Sequence, residues 1–146
     1  MGYREPKNQA EMLQRTSGAK PGTKILIKGG TIRTESQAEM FKKQGNAFFA
    51  SLEFGKALDQ YTKAIHCVIR EKEQELLVIC LSNRAQSFLK LKQYKEAERD
   101  ASEALDFDQK HLKSIQRRGT ARYYLKNFKG AQRDFRKALE LESANT

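Results

Sequence analysis

The chain has 146 residues, enough for one ordinary domain, and a formal net charge of +10 from 28 basic and 18 acidic side chains. No apolar run approaches the roughly 20 residues of a membrane span, and residues 1–20 lack the apolar core of a signal peptide. A basic chain favours anionic partners, but nucleic acid is disfavoured because no basic run longer than two residues follows Asn46.

Cys67 and Cys80 lack Cys-x-x-Cys spacing, which predicts buried reduced thiols and a cytoplasmic location.

Residues 1–35 differ in composition from the rest of the chain. They hold five of the nine glycines and both prolines, and they carry seven basic and three acidic side chains. This composition predicts a flexible basic extension or linker. Within it, residues 23–33 form a β-rich run around Gly29-Gly30 that can pair as a short hairpin, although a lone hairpin is marginally stable in water. Whether this segment is ordered is left open.

Residues 36–146 are predicted to form one helical domain. Thr34 or Ser36 can cap the first helix, which runs to about residue 51. The other five predicted helices span about residues 54–70, 74–91, 94–105, 111–125 and 128–141. No polar cap follows the last helix, so its apolar side is expected to be covered by further chain or by a second copy, which predicts self-association at this end.

Four sets of residues in these helices recur at the same two intervals, 40 and then 34 residues. The sets are Gly45, Ala85 and Gly119; Ala57, Ala97 and Ala131; Tyr61, Ala101 and Phe135; and Ala64, Ala104 and Ala138. A period of 34 is typical of the tetratricopeptide repeat (TPR), a helix-turn-helix unit. The first interval has six extra residues, which we place in a loop around residues 71–75. The predicted fold is all-α, with three such units, or six antiparallel helices, in a right-handed superhelical solenoid.

Five polar residues lie on the first helices of the three units, which line the concave groove in this repeat type. Lys42 and Asn46 are four residues apart and share a helix face, as do Lys113 and Arg117, while Asn83 lies on the first helix of the middle unit. Arginine offers a bidentate fork, lysine a point charge and asparagine an amide donor. Three cations and two carboxamides suit a pair of carboxylates, such as those of a C-terminal aspartate.

Three segments carry this set: Lys42-x-x-Gly45-Asn46, Ser82-Asn83-Arg84-Ala85 and Lys113-x-x-x-Arg117-Arg118-Gly119. They resemble the dicarboxylate-clamp TPR domains of heat-shock chaperone adaptors, and the likeness covers residues 38–142. The resemblance implies that the five residues form a clamp for a peptide carboxylate. The implied partners are the C-terminal Glu-Glu-Val-Asp tails of the seventy- and ninety-kilodalton heat-shock chaperones.

The resemblance also implies a pocket beside the clamp, where the family distinguishes between chaperones. Its residues here would be Phe49, Gln86, Leu89 and Lys90. Gln109 departs from the family, because these repeats usually have proline after the acidic residue that closes the second unit. The change weakens a helix stop signal and leaves the groove residues in place. The class of chaperone that the pocket selects is left open.

The predicted function is that of a co-chaperone adaptor. One alternative is a structural scaffold that binds a folded partner or an internal acidic segment through its helical ends or convex face. Another is an import receptor anchored to a membrane by a segment outside this chain. No Ser-His-Asp or Cys-His set can be assembled, and His66 and His111 have no partners at metal-ligand spacing, so neither catalysis nor a metal or cofactor is expected.

Overall fold

A computed structural model describes residues 25–28 and 31–144, with side chains from Glu35 onward. Most of the extension predicted for residues 1–35 lies outside the described residues, and the domain boundary at residue 35 stays a prediction. Two short strands, β1 (Ile25–Lys28) and β2 (Thr31–Thr34), pair antiparallel, and they begin within residues 23–33, where the sequence allows a short hairpin, and end one residue beyond it. Ile25 lies opposite Thr34, and Lys28 lies opposite Thr31.

Residues 35–144, which are described without a gap, contain six helices and no strand, as the sequence predicts. The helices are α1 (Gln37–Ala50), α2 (Phe54–Cys67), α3 (Gln74–Lys90), α4 (Tyr94–Phe107), α5 (Leu112–Tyr124) and α6 (Phe128–Ala144). They pack as three antiparallel pairs, and each pair packs against the next. Of the two predicted caps, Ser36 is the one used, since its hydroxyl accepts the Glu39 N–H at 3.2 Å. None of these helices is long and apolar enough to span a bilayer.

The sequence analysis places the six extra residues of the first interval in a loop, and the structure shows that this prediction is wrong for four of them. The connection at 68–73 is only two residues longer than the one at 108–111. The other four lengthen α3, which begins eleven residues before Ala85, whereas α5 begins seven residues before Gly119. This added turn carries Leu76 and Leu77, which are buried in the apolar cluster between the first two pairs. Burial of these leucines favours helix over loop.

Several helix ends also differ from the sequence prediction. α2 ends at Cys67 rather than near residue 70, because Val68 has an extended backbone. The Glu73 carboxylate then accepts the Ile69 N–H at 3.0 Å and closes the turn. α4 and α6 extend two and three residues further than predicted.

The connections within the three pairs share one backbone conformation. Leu52, Lys92 and Lys126 all have positive φ, from 60° to 65°, and they recur at the same intervals of 40 and 34. In the first connection the Leu52 N–H donates to the Phe49 carbonyl and the Glu53 N–H donates to the Phe48 carbonyl. This is the Schellman pattern of helix termination, and the other two connections repeat it. The three breaks that separate the predicted helices of each pair, at residues 52–53, 92–93 and 126–127, therefore match one another in backbone conformation.

The small residues of the repeat allow close helix approach. A methyl group at Gly45 would lie 2.6 Å from Tyr61 Cε1, and one at Gly119 would lie 2.9 Å from Phe135 Cε1. In the first and third pairs, the aromatic ring of the second helix therefore rests directly on the backbone of the first. These contacts fix how far α1 stands from α2 and α5 from α6.

We expect Gly45→Ala to destabilise the domain by about 1–3 kcal/mol, because the added methyl overlaps the buried Tyr61 ring. Thermal unfolding measures the loss. Gly55→Ala is the matched control, since a Cβ at Gly55 meets nothing within 4 Å. That variant should melt at the same or a higher temperature. Equal melting temperatures for the two variants would contradict this packing.

Two arginines that directly follow the clamp positions Asn83 and Arg117 form ion pairs within the helical pairs. Arg84 donates to both carboxylate oxygens of Asp100 at 2.7 and 2.9 Å. Arg118 makes the equivalent bidentate contact with Asp134, 34 residues further along, at 3.1 and 2.8 Å. Both guanidinium groups are therefore committed to internal partners rather than to the groove.

The outer side of α6 carries exposed apolar side chains. Ala131 and Ala138 are buried, whereas Phe128 and Leu139 are more than half exposed and Phe135 is partly exposed. This agrees with the expectation that the end of the solenoid leaves apolar area open. Self-association through this end stays a prediction.

Candidate functional site

A cavity of about 210 Å³ lies where the first helices of the three pairs converge. Its lining comprises Asn46, Phe49 and Ala50 of α1, Tyr61 of α2, Asn83 and Gln86 of α3, and Arg117 of α5. The structure thus brings together three of the five predicted clamp residues and two of the four predicted pocket residues. They meet because residues three or four apart share a helix face. Asn46, Phe49 and Ala50 form such a stripe on α1, and Asn83 and Gln86 form one on α3.

Arg117 is held by the middle helical pair. Its Nη1 donates to the Ser82 carbonyl at 2.8 Å and to the Ser82 hydroxyl at 2.9 Å, with a longer contact of 3.5 Å to Asn83 Oδ1. Burial lowers the pKa of the guanidinium from its ordinary value, and the nearby Tyr61 opposes the shift. Arg117 therefore presents a fixed and partly desolvated positive charge beside the cavity.

The two asparagines and Tyr61 form a connected hydrogen-bond network. Asn46 Oδ1 accepts from the Tyr61 hydroxyl at 2.6 Å and from Asn83 Nδ2 at 3.2 Å. Burial, together with the neighbouring Cys80, raises the pKa of Tyr61 to about 12, with Arg117 opposing. The Tyr61 hydroxyl therefore stays protonated at neutral pH and can act as the donor. The network joins side chains from α1, α2, α3 and α5 into one polar cluster.

Lys42 and Lys113 lie one turn before Asn46 and Arg117 on their respective helices. Lys113 is exposed, and Lys42 borders a separate depression with Glu39 and residues 71–76 of the α2–α3 connection and α3. Among the side chains that the structure describes, neither ammonium group forms an ion pair. The two lysines thus flank the cavity lined by Asn46 and Arg117 without lining it.

Leu89 and Lys90 lie outside this cavity. They border an adjoining depression of about 360 Å³ together with Tyr94, Thr120 and Tyr124. Gln86 borders both depressions, so the two lie side by side along α3. The predicted pocket is therefore divided into an inner part, at Phe49 and Gln86, and an outer part, at Leu89 and Lys90.

Known proteins share this fold and about a third of the aligned residues, although no protein-family model matches the chain. Heat shock protein STI1 of Saccharomyces cerevisiae is 33% identical over 108 residues, which are 74% of this chain and 18% of the yeast protein. The second TPR domain of Spaghetti (RPAP3), solved with the HSP90 peptide SRMEEVD, is 34% identical with a TM-score of 0.66, over 72% of this chain and 92% of that one. The second TPR domain of human RPAP3, solved with the HSP70 peptide SGPTIEEVD, is also 34% identical, with a TM-score of 0.66 over 73% of this chain and 84% of that one.

This chain belongs to the TPR domains of the co-chaperone type. The likeness covers the helical stack as a whole, so the predicted TPR solenoid of three units is confirmed. This TPR domain spans less than a fifth of the length of the yeast relative.

Two residues of the TPR domain's polar cluster were not predicted as site residues. The sequence analysis places Tyr61 only in the repeat register, and it gives Ser82 no role beyond its position next to Asn83. A signal for Tyr61 does exist in the sequence, because its repeat partners Ala101 and Phe135 carry no hydroxyl. Nothing in the sequence marks Ser82, since its contact with Arg117 depends on how α3 and α5 pack.

Proposed function

We propose that this TPR domain binds the acidic C-terminal tail of heat-shock chaperones and belongs to a co-chaperone adaptor. The observation that carries the proposal is the polar cluster of Asn46, Asn83 and Arg117, which opens on a cavity between three helices. Two similar TPR domains were solved with peptides that end in the same four residues, Glu-Glu-Val-Asp. A tail of that kind offers two carboxylates at its last residue, and amide and guanidinium donors match them.

Each predicted clamp residue has a distinct role in this proposal. Arg117 and the amides of Asn46 and Asn83 would donate hydrogen bonds to the terminal carboxylates. Lys42 and Lys113 would add long-range attraction from either side, because their charges have no internal partner among the described side chains. The attraction would raise the rate at which an acidic tail finds the groove.

The pocket residues would hold the apolar part of the tail. Phe49 and the Tyr61 ring give the cavity an apolar wall beside its polar donors. This combination suits a small apolar side chain next to the terminal aspartate. Leu89 and Lys90, in the adjoining depression, would then face residues further upstream. Because the upstream sequences of the HSP90 and HSP70 peptides differ, this outer part is where a preference between them would arise.

The domain would act as a binding module without catalytic activity, metal or cofactor. In the parent protein it would hold a chaperone while other segments recruit a client, and the compartment would be the cytoplasm. The competing function is a scaffold that uses the exposed apolar side of α6, where Phe128 and Leu139 lie. A scaffold contact of that kind would not depend on a free carboxylate.

The test is a calorimetric titration with SRMEEVD and SGPTIEEVD, each with a free and an amidated C-terminus. Hydrogen bonds to a charged group contribute about 1.5–3 kcal/mol, so amidation should weaken binding by about 10- to 150-fold. A peptide of the same composition in scrambled order controls for charge alone. Equal affinities for the free and amidated peptides would favour the scaffold over the clamp.

A further inference from the structure

In the hydrogen-bond network of the site, one assignment of donors and acceptors fits every contact. Arg117 can only donate, so Asn83 must turn its amide oxygen toward the guanidinium. The Asn83 amide nitrogen then faces Asn46 and donates to it at 3.2 Å. Asn46 must therefore present its oxygen to Asn83, and the Tyr61 hydroxyl, 2.6 Å from that same oxygen, must also donate. With this orientation of both amides, every contact in the network pairs a donor with an acceptor.

This assignment leaves the amide nitrogen of Asn46 free for a ligand. The oxygen accepts two hydrogen bonds, which is its ordinary capacity. Among the residues that the structure describes, none accepts a hydrogen bond from Asn46 Nδ2. Asn46 is exposed and borders the cavity, so its two N–H groups are available to a carboxylate there.

The hydroxyl of Tyr61 is not required for packing. Phe135 occupies the equivalent position in the third unit and rests on Gly119 as Tyr61 rests on Gly45. In the middle unit the position is occupied by Ala101, which is buried. The repeat therefore accepts residues without a hydroxyl at this position. Among the residues that the structure describes, Tyr61 is the one from a second helix that lines the cavity, where it contacts Asn46.

We propose that Tyr61 is a positioning residue of the carboxylate site, and that its hydroxyl holds the Asn46 amide with both N–H groups toward the ligand. The inference rests on the proposed function. Without the hydroxyl, Asn46 keeps only the longer hydrogen bond from Asn83, and its amide can rotate. A rotated amide would turn its oxygen toward the incoming carboxylate and repel it.

Tyr61→Phe tests the proposal, with tail binding and thermal unfolding measured on the same samples. The loss of one neutral hydrogen bond should weaken binding of free-carboxylate SRMEEVD or SGPTIEEVD by about three- to tenfold, while the melting temperature stays close to that of the wild type. Tyr123→Phe is the matched control, because Tyr123 is exposed and does not line the cavity. That control should bind like the wild type.

A double-mutant cycle separates positioning from a general structural effect. If Tyr61 acts through Asn46, Tyr61→Phe should cause no further loss in an Asn46→Ala background. An equal loss in both backgrounds overturns the proposal, and so does wild-type affinity for Tyr61→Phe alone. If the wild-type domain itself binds neither peptide, it is the proposed function that fails.

A measurement on the wild-type domain makes the test independent of any variant. The side-chain N–H resonances of Asn46 should shift when a free-carboxylate peptide binds, because both amide protons then form hydrogen bonds to the peptide's carboxylate. The amidated peptide at the same concentration should leave them nearly unchanged. Saturating free peptide that fails to move these resonances overturns the assigned orientation.

Discussion

Arg117→Ala should weaken binding of a free-carboxylate chaperone tail by about 1.5–3 kcal/mol, or roughly 10- to 150-fold, the range for hydrogen bonds to a charged group. The Arg117 guanidinium is held in place by hydrogen bonds, because it donates to the Ser82 carbonyl at 2.8 Å and to the Ser82 hydroxyl at 2.9 Å. Its guanidinium is already oriented, so little conformational entropy is lost when a carboxylate binds. Calorimetry with SRMEEVD and SGPTIEEVD measures the change.

Arg136→Ala is the control for net charge in this experiment. It removes the same side chain from an exposed position on α6, a helix that contributes no residue to the cavity. The affinity of the Arg136→Ala variant for the tail should fall only slightly, because the variant loses one positive charge that attracts the acidic peptide from a distance. If the two variants bind alike, the guanidinium of Arg117 makes no specific contact with the tail and the clamp is wrong at this residue.

Arg84→Ala should lower the free energy of unfolding by about 3–5 kcal/mol, the range for removing one partner of a buried ion pair. The Asp100 carboxylate is fully buried and receives both of its close contacts, at 2.7 and 2.9 Å, from Arg84. Alanine would leave that charge without a partner inside the second helical pair. Chemical denaturation monitored by circular dichroism measures the loss.

The control for this stability prediction is an exposed ion pair. Lys56 contacts Glu53 at 2.7 Å, but both side chains are largely in solvent. Lys56→Ala should change stability by less than about 1 kcal/mol, because solvent screens such pairs. A small effect of Arg84→Ala, similar to that of Lys56→Ala, would show that Asp100 finds another partner or becomes hydrated.

The TPR register could be read from the sequence because it depends on short-range regularities. Helical periodicity, the three matching breaks and the spacing of Gly45, Ala85 and Gly119 each repeat at the same intervals. A glycine facing a tyrosine or phenylalanine ring sixteen residues later is a local contact within one helical pair, at 2.6 Å for Gly45. The order and pairing of the six helices follow from contacts between residues that are this close in the sequence.

The candidate site was only partly predictable. Helical spacing of three and four residues indicates that Asn46 and Phe49 share a face, as do Asn83 and Gln86. Spacing along one helix does not say which faces meet across different helices. For that reason the sequence did not predict that Lys42, Leu89 and Lys90 border depressions separate from the one lined by Asn46 and Arg117.

The sequence by itself determined the six helices, the three-unit repeat and the polar residue types on the first helices. Only the tertiary structure decided that four of the six extra residues lengthen α3, because that choice depends on burying Leu76 and Leu77 against another helical pair. The tertiary structure also decided which side chains of the site donate hydrogen bonds and which accept them. The Tyr61–Asn46 and Arg117–Ser82 contacts join residues 15 and 35 positions apart. A hydrogen bond depends on distances of a few tenths of an ångström between atoms on different helices, and only the packing of those helices sets such distances.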